Sequence, residues 1–493
     1  MYEKATTREC RAKIAEHFGY FVNAIGMEKS LPFADVTFQN ECSSPPAYNF
    51  DAPNPAQHLG MIQNKTYLPP KDEAVYKEPE DYKFCYAIMT HQYPAETIRL
   101  IEALYEPGHT FLLHVDAKES SQETHATLVE YASSRPYIHV LQHPQRVRVN
   151  WGGFSMVNAT LQMLHYSLQQ NLDYDKFIHL ASTNYPLASN AKIRQTIAKY
   201  PLDANLMNIV LKPSRPNRAS WHYFVECDDA VHRIHRLPLL TNATANVELY
   251  TSSQWFTLSR EFAHYLAYPQ PGTFVYEFLE YVQHVVVADE TFFGTALLHS
   301  PYCDKLHNWN FVHLQFDQWE NEIPVEQRDP KKCIMPDPTH CGRSPTTISM
   351  DDVDILTLSD DLFARKFNDQ MHPHVKDVLD EYRLMQQEQY DNNKNNDSDT
   401  SADVVFDSNQ INMTFEGHGV LIVAKATVTS DMPLCLGLGP NGNYAKLVEC
   451  FYEEVPETLG KEWETGAVIL EETPWHNRWN IGPCTTDGNL ERL

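Results

Sequence analysis

No apolar run in this 493-residue chain reaches the ~18 residues of a membrane span, so the sequence predicts no transmembrane helix. Charged residues are spread through the first 26 positions, which is not the pattern of a secretory signal peptide. Basic residues are in short supply, because 39 Lys and Arg stand against 65 Asp and Glu. The formal charge of −26 argues against a general nucleic-acid-binding protein, since contacts to a phosphate backbone need a basic surface.

The ten cysteines include no C-x-x-C pair, and a zinc ribbon is therefore not expected. Two interpretations of them stay open, buried free thiols or disulfides. An even number of cysteines fits an oxidising compartment, and so do the Asn-x-Ser/Thr sequons of the chain. These sequons begin at Asn64, Asn158, Asn242, Asn396 and Asn412.

Short apolar strands alternate with helical patterns from about residue 83 onward. KFCYAIMTH (83–91) and TFLLHVD (110–116) are strand patterns, and a helical stretch follows each of them. Such alternation predicts an α/β fold with a mostly parallel sheet that helices cover on both faces. Ligands bind at the carboxyl ends of the strands in such sheets. The candidate positions for chemistry are therefore Thr90, His91, Asp116, Trp151 and residues 182–185.

Composition divides the chain into four parts. Residues 43–80 are rich in proline and polar groups, residues 387–403 are low-complexity and polar, and the segment after them has strand patterns without a helical period. The predicted parts are an N-terminal helix with an extended lead-in (1–80), an α/β domain (81–386), a polar linker (387–403) and a β-rich accessory module (404–493).

One acidic triplet, Asp173-Tyr174-Asp175, matches a D-x-D pattern that holds a divalent cation on a nucleotide diphosphate. The pattern works when the carboxylates lie past the end of a strand. Here they come before the strand KFIHLAS (176–182). A solvated turn between a helix and a strand is therefore the favoured interpretation, and no metal site is predicted.

A basic pair and a glutamate are candidates for group-transfer chemistry. Arg365 and Lys366 lie between aromatic residues, and in a loop both cations can converge on a departing diphosphate. Glu290 follows an apolar run at the start of a predicted helix, where it can accept a proton from an attacking hydroxyl. Taken singly, the basic pair is more typical of surface decoration, and the glutamate is more typical of a helix N-terminus.

A series of short motifs changes this assessment. In chain order they are HVD (114–116), R-x4-WGG (146–153), FIHLASTNYPL (177–187), ECD (226–228), QWFTLSREF (254–262), ADETFF (288–293), HSPYC (299–303), HNWN (307–310), CGRSP (341–345) and LFARKF (362–367). Over residues 83–370 their order and approximate spacing resemble the Core-2/I-branching β-1,6-N-acetylglucosaminyltransferase and peptide O-xylosyltransferase family. WGG, ECD, SPYC, CG-x-SP and FARKF are closer to the peptide O-xylosyltransferase branch.

This resemblance implies a GT-A-type (Rossmann-like) glycosyltransferase domain followed by the C-terminal β-rich module. The implied enzyme inverts the anomeric centre, uses a UDP-sugar as its donor, and needs no metal ion or other cofactor. Glu290 would be the catalytic base, and Arg365 and Lys366 would hold the diphosphate in place of a metal. The residues implied for nucleotide and donor binding are Thr90, His91, Asp116, Trp151 and Ser344. Trp309 would form a wall on the acceptor side.

Three positions depart from the family pattern. Asn184 stands where the family usually has Asp before the aromatic-Pro pair, and Gln254 stands where the xylosyltransferase pattern has Asp before Trp-Phe. Both are candidates for contacts to the donor or the acceptor. Arg343 replaces the second cysteine of a CGC triplet, so a local disulfide is not expected there.

The expected activity is transfer of xylose from UDP-xylose to a serine of a protein acceptor. Two alternatives are β-1,6-N-acetylglucosaminyl transfer to a glycan and a non-catalytic protein that binds a glycan or UDP. The resemblance also implies the lumen of the Golgi and a type II membrane anchor, and no anchor is visible in this chain. The expected partners are a nucleotide-sugar donor and a protein or glycan acceptor, without nucleic acid.

Overall fold

A computed structural model describes residues 5–26, 38–43, 74–210, 222–236, 247–315 and 345–395, together with six strands beyond residue 404. The chain separates into two compact units. The first consists of Met1–Pro186, Asn190–Val312 and Arg365–Phe367, and the second of Leu187–Ser189, His313–Ala364 and Asn368–Leu493. The domain boundaries predicted from composition stay predictions.

Ten α-helices lie in the described ranges. They are α1 Arg8–Gly26, α2 Pro94–Leu104, α3 Gln122–Ala132, α4 Phe154–Gln169, α5 Asn190–Ala198, α6 Arg260–Ala267, α7 Phe274–Val282, α8 Asp289–His299, α9 Val353–Thr357 and α10 Val375–Asn395. Helix α10 extends into the segment for which polar composition predicts a linker. None of these helices combines the length and the apolar character that crossing a membrane requires.

In the described ranges, twelve strands precede residue 370. They are β1 Phe84–Thr90, β2 Thr110–Val115, β3 Ile138–Val140, β4 Lys176–Ala181, β5 Asn184–Pro186, β6 Asn205–Val210, β7 His222–Cys227, β8 Ala230–Arg236, β9 Thr251–Ser259, β10 Leu306–His307, β11 Val312–Leu314 and β12 Phe363–Arg365.

A seven-stranded sheet forms the centre of the first unit, in the order β10-β6-β9-β4-β1-β2-β3. β1 pairs in parallel with β2 and β4, β2 pairs in parallel with β3, and β10 pairs in parallel with β6. β9 is the exception, because it runs antiparallel between β4 and β6. The predicted α/β fold with a mostly parallel sheet is thereby confirmed, and the carboxyl ends of β1, β2 and β4 meet at one edge.

Both faces of this sheet are buried, which explains why its strands read as nearly continuous apolar runs. Six of the seven residues of β1 are buried, and so are all six residues of β4. Leu164 of α4, Phe262 of α6 and Phe292 of α8 are fully buried in one core with Phe177 and Leu258 of the sheet. The helices therefore fix the strand ends at which the predicted chemistry lies.

The last ninety residues contain strands only, as far as they are described. These strands are β13 Val405–Phe406, β14 Asn412–Glu416, β15 Gly419–Thr427, β16 Leu434–Leu438, β17 Glu462–Glu471 and β18 Trp479–Pro483. β15 pairs antiparallel with β13, β14 and β17, and β16 pairs antiparallel with β18. These strands agree with the strand patterns that the sequence has there, and the separate accessory module stays a prediction.

The cysteines divide between the two interpretations that the sequence leaves open. Disulfides join Cys10 to Cys227 and Cys42 to Cys303, across 217 and 261 residues of sequence. Cys85 is a buried thiol in β1. The structure describes no side chain for the remaining five, which are Cys333, Cys341, Cys435, Cys450 and Cys484.

A two-residue turn joins β7 to β8, and both of its residues, Asp228 and Asp229, have positive φ angles of 51° and 56°. Two-residue hairpin turns favour this conformation, and Asp is among the residues that tolerate it. The Asp228 carboxylate accepts hydrogen bonds from the backbone N–H groups of Thr6 and Thr7, each at 2.7 Å. Asp229 forms an ion pair with Arg148. The turn thereby holds the start of α1 and the loop before α4.

Glu226 of the ECD motif lies against Gly153 of the WGG motif. Its carboxylate accepts hydrogen bonds from the backbone N–H of Ser155 at 3.0 Å and from Nδ2 of Asn150 at 2.8 Å. Ser155 is in the first turn of α4, where a carboxylate satisfies an otherwise unpaired N–H group. A Cβ atom at position 153 would lie only 2.5 Å from the Glu226 carboxyl carbon. The two motifs therefore form one structural unit, and the glycine is required by close approach.

This contact predicts a coupling between the two residues. Gly153→Ala should destabilise the protein by about 1–3 kcal/mol, because the added methyl group displaces a carboxylate that is already hydrogen-bonded. The same substitution in a Glu226→Ala background should cost much less, because the clash has been removed. Urea unfolding of the wild type, both single variants and the double variant measures this coupling. Additive effects in this double-mutant cycle would contradict the close contact.

Candidate active site

Asp116 follows β2 directly, at the carboxyl edge of the sheet. Its backbone N–H donates to the Thr90 carbonyl at the end of β1. Its Oδ1 atom accepts hydrogen bonds from the backbone N–H groups of Lys118 at 3.0 Å and Val149 at 3.1 Å. The Lys118 ammonium lies 3.8 Å from the other carboxylate oxygen. Asp116 is thus held in a fixed orientation next to Thr90, as a residue that contacts a nucleoside needs to be.

Arg146 of the R-x4-WGG motif stabilises this strand end. Its Nε atom donates to the Val115 carbonyl at 2.9 Å, and its Nη2 atom donates to the Asp116 carbonyl at 2.6 Å. The last carbonyls of β2 are therefore satisfied by a side chain from the following loop. The arginine positions Asp116 through its backbone.

His91 connects this strand end with the basic pair. Partial desolvation lowers the pKa of the His91 imidazole, and the nearby ammonium groups of Lys366 and Lys118 lower it further, while the Asp116 carboxylate opposes the shift. His91 is therefore neutral at physiological pH. The resemblance assigned Thr90, His91 and Asp116 to the nucleotide and Lys366 to the diphosphate, and in the structure His91 lies near both Asp116 and Lys366.

Arg365 lies within the protein with its charge supported on several sides. Its guanidinium carbon is 4.5 Å from the centre of the Trp255 ring, and its Nε atom donates to the Thr183 hydroxyl at 3.3 Å. Burial lowers the pKa of Arg365 to about 10, and the Asp289 carboxylate opposes that shift. The guanidinium consequently stays protonated at neutral pH in a poorly hydrated place, where its field acts strongly on an anion.

Lys366 lies between two anchored neighbours. The backbone N–H of Phe367 donates to the Thr183 carbonyl at 2.9 Å, and the Phe367 ring packs edge-on against Tyr185 at 5.7 Å. Burial and the charge of Arg365 lower the pKa of the Lys366 ammonium. The FARKF segment is therefore fixed on the residues that follow β4, and its two cations share one region.

Glu290 is the second residue of α8, so it lies at the positive end of a helix dipole. Its neighbour Asp289 is 4% exposed and acts on the charge of Arg365. The preceding loop is held to the WGG turn, because the backbone N–H of Val287 donates to the Gly152 carbonyl at 2.7 Å. Glu290 itself is half-buried, as expected of a base that an acceptor must reach.

Trp151 has an unexpected environment for a tryptophan. Its side chain is 76% exposed, although an isolated tryptophan in an α/β domain usually belongs to the core. The next residue, Gly152, has a φ angle of 74°, which turns the chain sharply toward the loop before α8. Trp151 therefore projects into solvent next to the Glu290 helix rather than into the core.

The two amide positions, Asn184 and Gln254, are both buried. The Asn184 Oδ1 atom accepts a hydrogen bond from the backbone N–H of Ala181 at 2.9 Å. The backbone carbonyl of Gln254 accepts a hydrogen bond from Nδ1 of His179 at 2.9 Å, and burial lowers the pKa of His179 to about 4. Arg365 further lowers the pKa of His179. His179 is therefore a neutral imidazole close to Arg365.

Trp309 lies on a loop that is tied to β9. Its ring stacks on Phe311 with centroids 5.0 Å apart, and Nδ2 of Asn310 donates to the Trp255 carbonyl at 2.9 Å. The predicted acceptor-side residue is thus next to the strand that supports Arg365. Ser344, the remaining predicted donor residue, lies outside the described residues.

The D-x-D triplet lies at the opposite edge of the sheet, before β4. Asp175 accepts hydrogen bonds from the backbone N–H of Lys83 at 2.8 Å and from the Lys77 ammonium at 2.7 Å. Asp173 is exposed and forms an ion pair with the Lys83 ammonium. Both carboxylates therefore form ion pairs with lysines next to the starts of β1 and β4.

Sequence reasoning missed Lys118 and Trp255 of this site, and it gave Thr183 only as part of the candidate range 182–185. Thr183 and Trp255 lie inside motifs that the resemblance used, but only tertiary contacts reveal that both support Arg365. Lys118 follows HVD by two positions, and its spacing from Asp116 was the available signal.

Comparison with known proteins supports the family resemblance of the sequence. The sequence model of the Core-2/I-Branching enzyme family matches residues 84–340, which is more than half of the chain. Similar proteins include xylosyltransferase 1 of Rattus norvegicus, 25% identical over 65% of this chain and 38% of the relative. Xylosyltransferase 2 of Canis lupus familiaris is 27% identical over 63% and 35%, and a xylosyltransferase of Ciona intestinalis is 24% identical over 76% and 40%. The chain thus matches well under half the length of these relatives.

The position of Arg365 predicts its contribution to UDP affinity. Arg365→Ala should weaken UDP binding at least about tenfold, because a charge-assisted contact to the diphosphate is lost. Isothermal titration calorimetry with UDP measures the change. Lys192→Ala, which removes an exposed cation on α5, is the matched control and should leave the affinity unchanged. An unaltered Kd for Arg365→Ala, in a variant whose circular dichroism is that of the wild type, would remove Arg365 from the diphosphate site.

Proposed function

The chain belongs to the Core-2/I-branching enzyme family, and on that premise we propose that it is an inverting, metal-independent glycosyltransferase. The proposed reaction moves xylose from UDP-xylose to a serine hydroxyl of a protein acceptor. The related proteins named xylosyltransferase support this choice of donor sugar.

The observation that carries the proposal is the pair of cations at the carboxyl edge of the sheet. Arg365 rests on Trp255, and Lys366 is close enough to His91 and Asp116 to share their electrostatic environment. A leaving UDP develops negative charge on its phosphate oxygens, and fixed cations that need no rearrangement stabilise that charge. We assign Asp116, which Lys118 and Val149 orient, to the nucleoside.

The proposed step is a single displacement. The serine oxygen attacks the anomeric carbon from the face opposite UDP and forms the new glycosidic bond. The bond between the anomeric carbon and the phosphate oxygen breaks, and UDP leaves with the electron pair. Glu290 accepts the proton of the serine hydroxyl. One displacement inverts the configuration at the anomeric carbon.

The partners of the D-x-D carboxylates support the proposed metal independence. Asp173 and Asp175, the pair with the spacing of a metal-binding motif, are engaged by Lys83 and Lys77 at the far edge of the sheet. Arg365 and Lys366 are the groups that we assign to the diphosphate.

β-1,6-N-acetylglucosaminyl transfer is the second candidate. Gln254 favours keeping it, since it replaces an acid of the xylosyltransferase pattern, whereas Asn184 replaces an acid of the wider family pattern. A carboxylate accepts a charge-assisted hydrogen bond from a sugar hydroxyl, and an amide cannot. The preference of the site for a donor or acceptor sugar can therefore differ from that of the xylosyltransferase pattern.

We also propose that the protein works in the lumen of the Golgi. The two disulfides, Cys10–Cys227 and Cys42–Cys303, are the structural support for this, because disulfides persist in oxidising compartments.

The experiment that tests the proposed reaction is UDP release with a serine–glycine peptide acceptor. UDP-xylose, UDP-N-acetylglucosamine and UDP-glucuronic acid are offered in turn, each with and without EDTA. Peptide-dependent release from UDP-xylose that survives EDTA is expected. Loss of release in EDTA would contradict metal independence and return attention to Asp173 and Asp175. Release only from UDP-N-acetylglucosamine with a glycan acceptor would select the second candidate, and silence with all donors would favour a non-catalytic binding protein.

Glu290→Gln tests the base. Turnover should fall about 10²-fold or more, because the amide cannot accept the proton, while UDP affinity stays nearly unchanged. Glu261→Gln is the matched control, since Glu261 also lies in the first turn of a helix but at the opposite edge of the sheet. Steady-state kinetics and UDP titration of the three proteins separate the two effects. Wild-type turnover in Glu290→Gln would show that another group is the base.

A further inference from the structure

A cavity lies on the first unit, apart from the residues assigned to the donor. It has a volume of about 850 Å³. Its walls are helix α1, the β7–β8 hairpin, the start of α4 and the end of α7. The volume is in the range of ligand sites in proteins.

Most charged groups in this wall already have a hydrogen-bond or ion-pair partner within the protein. Asp229 forms its ion pair with Arg148 at 2.7 Å, and Asp228 is bound by Thr6 and Thr7, which directly precede α1. Glu226 accepts hydrogen bonds from the start of α4. The Lys13 ammonium donates to the Glu226 carbonyl at 3.1 Å. A charged ligand would therefore have to displace existing partners.

The histidines of the wall are neutral as well. Burial lowers the pKa of His284 to about 3 and also lowers the pKa of His17. Burial raises the pKa of the nearby Glu280 carboxyl, which reduces its tendency to ionise. The cavity consequently favours a neutral ligand.

Amide side chains supply the remaining polar groups. Asn158, Gln162 and Gln283 line the cavity, and all three are partly exposed to it. Asn150 also lies in the wall and is only 7% exposed. Its Nδ2 atom donates to Glu226, whereas its Oδ1 atom has no hydrogen-bond partner among the described residues. A buried acceptor without a donor is costly, and a ligand hydroxyl or amide in the cavity would satisfy it.

We propose that this cavity binds a neutral saccharide. Sugar hydroxyls both donate and accept hydrogen bonds, and amide groups match both roles without a net charge. The half-buried ring of Phe154 adds an apolar surface of the kind against which a sugar ring packs. This inference concerns a site separate from Glu290 and Arg365, and it does not depend on the donor sugar.

One source of the saccharide is the chain itself. Asn158 is the first residue of an Asn-Ala-Thr sequon, and it lies in the cavity wall. Thr160, the third residue of the sequon, is fully buried in α4 and donates to the Met156 carbonyl. A glycan can therefore be attached to Asn158 only before α4 packs, and after folding it would start inside the cavity. The other source is a saccharide that enters from solution.

The cavity also contacts the loop that orients Asp116. Arg148 and Asn150 lie in the wall, and between them Val149 donates its backbone N–H to Asp116. A saccharide bound in the cavity would therefore touch both neighbours of the residue that fixes Asp116. Binding there stabilises one position of this loop.

The test uses the full chain made in a host without N-glycosylation and in a secretory host. Diacetylchitobiose and xylobiose are titrated into the unglycosylated protein without any donor, and saturation-transfer NMR reports binding. Gln162→Ala/Gln283→Ala should weaken binding about tenfold, because two hydrogen-bonding amides are removed. Gln169→Ala, an exposed amide on the same helix outside the cavity, is the matched control and should have no effect.

Mass spectrometry of the Asn158 peptide from the secretory host distinguishes the two sources. A glycan at Asn158 that blocks disaccharide binding identifies the chain as the source, and an unmodified Asn158 with disaccharide binding identifies a saccharide from solution. Binding that the double variant leaves intact, or an unmodified Asn158 with no disaccharide binding, would overturn the proposal. UDP-sugar turnover measured on the same samples is an independent readout, so a failure of the proposed reaction is distinguishable from a failure of the cavity.

Discussion

The Arg365 guanidinium is mostly buried, and its burial constrains the structure at the carboxyl edge of the sheet. Removing a cation from water is expensive unless neighbouring groups replace the lost hydration. Trp255 supplies a ring face, Thr183 a hydroxyl and Asp289 a negative charge to Arg365. These partners come from β9, the segment after β4 and helix α8. Three distant parts of the chain must therefore be in place before the cation is tolerable, and the same parts carry Gln254, Asn184 and Glu290.

The negative charge of Asp116 is also stabilised by groups close to it. Asp116 receives two backbone N–H groups, a lysine lies nearby, and Arg146 secures the carbonyls of the strand that leads to it. Asp116 and the two cations of residues 365 and 366 reach the same edge from different strands. Because these groups are partly buried, solvent screens their charges little, and each charge acts strongly on a neighbouring group. This suits the recognition of a nucleotide.

The sequence predicted those features that depend on local pattern. Alternating strands and helices indicated the parallel sheet, and strand ends indicated Thr90 and Asp116. The start of α8 at Asp289 was also predicted. Features that depend on distant contacts were not predictable in this way. The antiparallel course of β9, the exposure of Trp151 and the support of Arg365 by Trp255 all arise from residues far apart in sequence.

The contact between the WGG and ECD motifs also depends on residues far apart in sequence. WGG and ECD are separated by more than seventy residues, and no local rule connects a glycine with a distant glutamate. The structure connects them because Glu226 occupies the space that a side chain at Gly153 would need. The cysteine pairs show the same limit, since composition left open both thiols and disulfides, and the structure contains both.

The long disulfides have a consequence for biosynthesis. Cys10 and Cys42 leave the ribosome far ahead of Cys227 and Cys303, because 217 and 261 residues separate the partners. Cys85 emerges in the interval and could compete for them in thiol exchange. Its strand, however, lies between β2 and β4, and that part of the sheet is complete once Ala181 has been translated. Both neighbours of this strand are therefore translated before Cys227 and Cys303.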